Sequence, residues 1–248
     1  MSKCDQPEII YMDREDVRNC PVYKFLRHPI FLDLHKMTDE EHLNFFLDME
    51  SFEAPEHFHD VFSYKFVGYS ADNQPIWIIT FGKYPTYDLL QQGEGELMER
   101  YIYQTAHWIA KSIVEKTPEE NPGQQAIVIF NGKGASASNY LNTRTLGYLF
   151  KLFRKTSKSS VLLLARGIGV NVNKVGVVVL NLLRPISKET FKKVELFGKD
   201  DSVWRPRLEE IFGHKDIPTF TGMHRGFYRI KLNPPINPEA EQIIKCDV

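Results

Sequence analysis

A chain of 248 residues, 42% of them apolar and 25% charged, can bury a sizeable core, either as one large domain or as a domain with a helical annex. Its apolar runs fall short of the roughly 20 residues of a membrane-spanning helix, and the start MSKCDQPEII lacks an apolar signal core, so a cytosolic protein is expected. Cys4, Cys20 and Cys246 are too few and too scattered for a disulfide framework or a cysteine zinc site, and Cys246, third from the end, is not placed for prenylation.

Residues 1–60 are acidic and carry short helical signals. Thr38, Asp39, Glu40 and Glu41 open a helix in capping-box fashion, with Leu43, Phe46 and Leu47 on one face. The segment is expected to be a small helical annex. Residues 69–75 (YSADNQP) are turn chemistry, and 76–81 (IWIITF), rich in β-formers, are read as the first strand of a sheet. A long helix is expected over 96–116, with Leu97, Tyr101, Ile109 and Ile113 broadly on one side and His107 as an ordinary helical histidine. After a loop at 117–123, residues 126–130 (AIVIF) form a continuous apolar strand of the kind buried on both faces, and strand, helix, strand predicts an α/β sheet.

A helix carrying Leu146, Leu149, Phe150 and Phe153 follows. Residues 161–165 and 168–172 both have strand character, and the pattern does not separate them. The most unusual stretch is 174–198, KVGVVVLNLLRPISKETFKKVELFG. Residues 175–183 are apolar except for Gly176 and Asn181, and Pro185 ends the run. A surface helix would keep a polar face, so both sides of this one are expected to be covered: it is either a buried core segment or a lid over an apolar cavity, with Gly176 as a soft point. A further helix is expected over 201–212, with Trp204, Leu208, Ile211 and Phe212 inward and Gly213 after its end.

The net charge of −1 conceals a division. No Asp or Glu occurs between residues 121 and 188, where Lys133, Arg144, Lys151, Arg154, Lys155, Lys158, Arg166, Lys174, Arg184 and Lys188 lie, whereas the rest of the chain holds 21 basic against 32 acidic residues. Such a block is either a solvated face or an attraction to anionic lipid headgroups. Long aliphatic runs interleave it and no RNA or DNA motif accompanies it, so nucleic acid is not an expected partner.

Catalytic patterns fail on inspection. The segment after residue 130 has Gly132, Lys133, Gly134 and Ser136 but not the GxxxxGK[ST] phosphate loop, and Gly167 and Gly169 lack the third glycine and the ribose-binding acid of a dinucleotide site. His57, His59 and Asp60 have no neighbouring His or Cys cluster and are read as an exposed loop, not a metal site. There is no GxSxG elbow, and Ser136 and Ser138 have no identifiable base. Neither an enzyme nor a cofactor is expected.

Four segments in order resemble the CRAL-TRIO lipid-binding family. Residues 67–77 (VGYSADNQPIW) are similar to its GYDxxGxPVY strand entry, and 127–138 (IVIFNGKGASAS) to its D-x-K-G-x-S-x-S strand exit. Residues 183–193 (LRPISKETFKK) are similar to KPFLxxxTxxKI, and 217–222 (IPTFTG) to LPxxYGG. Asn131 stands where the family has Asp, and the acid that phosphoinositide-transferring members carry before the gate is missing from 121–188, which speaks against inositol recognition.

The resemblance implies an α/β fold with a mixed sheet flooring an apolar cavity, helices packed behind it, and a gate helix near 174–184. The implied division is an N-terminal helical annex (1–60), a lipid-binding domain (61–232) and a polar C-terminal tail (233–248). By the same likeness Trp77, Phe130, Phe150, Val178 and Leu182 are expected to line the cavity or its gate. Ser136 and Ser138 match hydroxyls near a phosphocholine headgroup, or simply cap the next helix; Thr190 and Lys193 match a phosphoinositide headgroup pair, or Lys193 is an ordinary surface lysine. The implied function is a cytoplasmic, peripherally membrane-associated carrier of one lipophilic ligand, a phospholipid or isoprenoid-type lipid, meeting anionic membranes transiently. The alternative is a protein-interaction module of the same fold with a vestigial cavity.

Overall fold

A computed structural model describes residues 7–28, 36–116, 125–213, 217–220 and 227–233. The loop read at 117–123 and the tail from residue 234 onward lie outside the described residues.

The N-terminal part contains β1 (Ile9–Met12), α1 (Arg14–Asn19), α2 (Pro21–Leu26), α3 (Asp39–Ser51) and α4 (Glu56–Val61). Local chemistry starts these helices. The Asp13 carboxylate accepts from the Asp16 amide at 2.8 Å, Pro21 opens α2 with its φ already helical, and Thr38 and Glu41 form the capping box, satisfying each other's amides at 3.3 and 2.7 Å. His57 lies within α4 and not in a loop; its Nε2 meets Glu94 at 2.9 Å. Val17, Tyr23, Leu43 and Phe46 build a small core together with Ile230 and Leu232 of the last strand, β7 (Arg229–Leu232), which pairs in parallel with β1.

The main sheet follows: β2 (Ser63–Tyr69), β3 (Pro75–Thr80), α5 (Thr86–Gln91), α6 (Gly95–Lys116), β4 (Ala126–Asn131), α7 (Ala137–Tyr140), α8 (Thr143–Leu163), β5 (Leu164–Val170), α9 (Lys174–Leu183), α10 (Lys188–Phe191), β6 (Val194–Leu196) and α11 (Asp201–Phe212). Its order is β2-β3-β4-β5-β6, antiparallel between β2 and β3 and parallel elsewhere, and helices supply each parallel crossover. The strand at residues 76–81 is therefore the second of this sheet. β2 precedes it, joined by a turn in which Asn73 takes φ 57°, a conformation Asn tolerates. The alternation of Tyr64 and Phe66 with Ser63 and Lys65 is interrupted by a bulge between Phe66 and Gly68, where Gly68 has φ 120°, and this interruption hides the strand in the sequence.

The choice between 161–165 and 168–172 resolves in favour of a junction. α8 runs through Leu163, with the Leu164 amide still donating to the Ser160 carbonyl, and β5 begins at that residue. Strand alternation then sorts the core into two layers. Ile76, Ile78, Ile127, Ile129 and Ile168 face α11, meeting Trp204, Leu208, Ile211 and Phe212. Trp77, Val128 and Leu164 face the opposite side, against Tyr101, Trp108 and Ile109 of α6. Among the described residues, no helix is long and apolar enough to cross a membrane.

A buried ionic cluster ties α3 to α6 and β7. Glu50 of α3 is fully buried and accepts from Lys111 Nζ at 2.6 and 2.8 Å, from the Ile230 amide at 2.9 Å, and lies 2.8 Å from His107 Nε2. Lys111 also donates to the Tyr228 carbonyl at 2.6 Å. Burial alone would raise the Glu50 carboxyl, but hydrogen bonding and charge from His107 and Lys111 hold it below the ordinary carboxylate value. Burial pulls the Lys111 ammonium down, opposed by the Glu50 charge. Each charge is costly to bury alone and is tolerated here because its partners are complete.

Candidate functional site

An apolar cavity of about 420 Å³ lies on the side of the sheet away from α11. Its floor is Ile79, Val128, Phe130 and Gly169, the residues that strand alternation turns away from α11. Leu149, Leu152 and Phe153 of α8 form one wall. Its cover is α9, whose Gly176, Val179, Leu180 and Leu183 face inward. The lining continues past Ile102 and Ala106 of α6 to Phe45 and Phe46 of α3, so the space extends from beneath α9 to α3.

Why α9 sits there follows from its ends and its spacing. Asn173 caps it, accepting from the Gly176 amide at 3.0 Å, and donates its own amide to the Ala135 carbonyl at 2.6 Å, anchoring the helix start to the loop after β4. A Cβ at Gly176 would stand 3.0 Å from Val172 Cγ1, so glycine here lets the first turn of α9 close against the Val172 side chain of the segment that leads into it. Residues 176, 179, 180 and 183 fall on one helical face, on which Val179 and Leu183 pack with Ala135 and Tyr140, whereas Val177, Val178 and Leu182 remain 40%, 45% and 43% exposed. The expectation that both sides of this stretch are covered is therefore not met: its apolar outer face is open.

The expected site residues separate accordingly. Phe130 and Thr190 line the cavity. Trp77 does not: it is fully buried beside the cavity, its Nε1 donating to Ser112 Oγ at 3.0 Å and its ring packed among Tyr64, Phe66 and Phe227. Phe150 packs in the cluster beneath the gate and is not part of the lining. Val178 and Leu182 belong to the gate but face outward.

Ser136 and Ser138 are exposed, 3.2 Å apart, and Ser136 caps α7 by accepting from the Asn139 amide at 3.3 Å. Neither lines the cavity. Lys193 Nζ donates to the carbonyls of Val161 and Leu164 at 2.9 and 2.7 Å and to Gln125 Oε1 at 3.2 Å, closing the C-terminal end of α8, and partial burial lowers its pKa. Its ammonium is thus engaged by protein acceptors. Thr190 Oγ1 donates to the Ser157 carbonyl at 3.3 Å.

Sequence reasoning missed the inward set Gly176, Val179, Leu180 and Leu183, for which the i, i+3, i+4, i+7 spacing was available but the absence of a polar face removed the contrast that orients a helix. It also missed Tyr84, Tyr140 and Tyr148, which line the cavity from the loop after β3 and from α7 and α8. Among the described lining residues there is no Asp, Glu or Arg, and Lys155 is the only Lys; it pairs with Glu99, which also accepts from Tyr103 at 2.8 Å. His42 and His107 also belong to the lining, which is otherwise dominated by apolar and aromatic side chains and suits apolar matter.

Comparison with known proteins supports the same architecture. The family model of the CRAL/TRIO domain matches residues 62–222. Among solved structures, the crystal structure of Sfh5 matches with a TM-score of 0.53 and 15% identity, covering 87% of this chain and 80% of that one. A sequence comparison with curated proteins finds no match.

Proposed function

Starting from the chain's membership of the CRAL/TRIO domain family, a family of lipid binders, we propose that it is a non-enzymatic lipid carrier, holding one lipophilic molecule in the cavity under α9 and exchanging it at membrane surfaces. The observation that carries this reading is the two-sidedness of α9, which closes an apolar space with one face and offers Val177, Val178 and Leu182 to the outside with the other. Exposed Lys174, Arg184 and Lys188 stand at and beyond its ends. Basic residues at an anionic surface attract it by about 1 kcal/mol each, bringing the apolar face to the acyl boundary. The carrier acts between cytoplasm and membrane.

Exchange on this scheme is close to isoenergetic. A methylene moving from bilayer to cavity gives up about 0.8 kcal/mol of burial and regains about the same, so opening of the gate controls the rate. Movement of α9 breaks few polar contacts outside the helix, chiefly the Asn173 anchor to Ala135. Transfer of fluorescent lipid between donor and acceptor vesicles tests the proposal: the protein accelerates transfer, and a folded protein that leaves the spontaneous rate unchanged overturns it.

A further inference from the structure

β1 pairs with β7 on one side, and on its other side it meets no strand among the described residues. The alternation of the parallel ladder decides which backbone groups face that open side. The Arg229 amide donates to the Glu8 carbonyl at 2.7 Å and the Asn233 amide to the Met12 carbonyl at 2.9 Å, so the even-numbered residues of β1 address β7. The amides and carbonyls of Ile9 and Tyr11 therefore point away from β7, where no described residue pairs with them. Their side chains are also the exposed ones: Ile9 is 42% and Tyr11 52% exposed, whereas Ile10 and Met12 are partly buried. An edge of this kind is a template for another strand, and a two-stranded ribbon gains stability from a third.

The bounds of the edge set the size of its occupant. Pro7 has no amide hydrogen and α1 begins after Asp13, which leaves residues 8–12, about 16 Å of strand. Its charge sets the composition. Glu8, Asp13, Glu15 and Asp16 are exposed at and beyond its two ends. The cations nearby are engaged: Arg14 with Glu40, Arg18 with Asp39 and Glu40, and Arg229 with the carbonyls of Glu50 and Phe52. Lys231 lies across the ladder from Tyr11, on the strand away from the edge.

A second copy of the chain does not suit the place. Antiparallel pairing that joins Ile9 to Tyr11 of the other copy sets each Glu8 beside the other copy's Asp13, like charge against like. Two exposed apolar side chains also fall far short of the roughly 800 Å² per subunit that a stable dimer buries. We propose that the open edge of β1 receives a short extended segment of another protein, with apolar residues at alternate positions beside Ile9 and Tyr11 and with Lys or Arg flanking them. Main-chain hydrogen bonds supply the attachment, and the acidic flanks select the occupant. Neither Ile9 nor Tyr11 lines the cavity, so this binding does not depend on the carrier reading.

The test uses the full chain and the labelled peptide KKTVTIKK, with EETVTIEE and a KKTVTIKK N-methylated at Val and Ile as controls. Amide exchange by NMR is recorded first without peptide: the Ile9 and Tyr11 amides exchange fast and those of Ile10 and Met12 slowly. By fluorescence anisotropy the basic peptide binds about tenfold tighter than the acidic one, the N-methylated peptide does not bind, and the basic peptide slows exchange at Ile9 and Tyr11. Tyr11→Pro, which removes an outward amide, abolishes binding. Glu8→Lys combined with Asp13→Asn, which keeps the cap of α1, removes the preference for the basic peptide. Slow exchange at Ile9 and Tyr11 in the peptide-free protein means that the chain or a second copy already covers the edge, and overturns the proposal. So does a basic peptide that fails to bind or that binds equally well when N-methylated, and equal binding of the two charge types overturns the assigned partner chemistry.

Discussion

Replacing Val178 and Leu182 together by Asp probes the outer face of α9 without entering the cavity. Val177, Val178 and Leu182 are 40%, 45% and 43% exposed, so somewhat under half of each side chain remains to be covered. Full burial of such a side chain is worth about 1.5–3 kcal/mol, which leaves about 1 kcal/mol for each on docking and about 3 kcal/mol for the three. The double substitution removes about 2 kcal/mol of this. It also sets two carboxylates against anionic headgroups, offsetting about 2 kcal/mol of the attraction of Lys174, Arg184 and Lys188. The sum, about 4 kcal/mol, corresponds to a loss on the order of a thousandfold in binding to vesicles containing phosphatidylserine. Because both positions face outward, the urea midpoint and the amount of bound ligand stay close to the parent's. Sedimentation with vesicles measures the first effect and intervesicle transfer its consequence. A folded double variant that still binds and transfers at the parental rate would refute the docking role of this face.

The buried ionic cluster gives two further expectations. Glu50→Gln leaves Lys111 with a neutral amide partner in the core and is expected to cost about 3–5 kcal/mol in urea unfolding at pH 7. Glu50 is held below its ordinary value of 4.5 in the folded state, so unfolded chains take up protons first as pH falls. The stability it contributes is complete above about pH 4.5 and is lost as pH drops through the folded pKa; Glu50→Gln shows a shallower decline over that window. Lys193→Met is expected to lower stability by about 1–2 kcal/mol, because the Val161 and Leu164 carbonyls lose their donor, and to leave the choice of bound lipid unchanged; altered lipid selectivity would return Lys193 to the headgroup. Leu183→Ala, on the buried face of α9, costs about 2–5 kcal/mol in the same assay, and a neutral result would contradict the closed gate.

Features written in local chemistry were legible in the sequence. The capping box at Thr38 and Glu41, the long helix ending at Lys116, the helix from Asp201 to Phe212 with Gly213 in left-handed geometry behind it, and the buried strand before Asn131 are each specified within a few neighbouring residues. The α/β sheet follows from their order, and the family likeness of four segments in sequence implied that the sheet is mixed. Features set by distant contacts were not legible. β7 is a four-residue strand stabilised by β1, over 200 positions away in the chain, and Glu50 finds Lys111 across 61 positions. The direction of a side chain on α9 was equally hidden, because a helix apolar on all sides carries no periodic contrast; only packing against Ala135 and Tyr140 decides that Val179 and Leu183 turn inward and Val178 and Leu182 outward. Lys193 matched a headgroup motif by type and position, and its engagement with the end of α8 depends on three-dimensional proximity that one sequence does not state.

Native mass spectrometry of the purified protein, followed by organic extraction, tests the carrier account most directly. The account predicts one lipophilic molecule per chain, released by solvent and displaced by Leu180→Trp, which projects an indole into the cavity. A protein that is folded, empty as isolated and unable to retain any lipid offered in vesicles contradicts it and favours an interaction module whose cavity is vestigial.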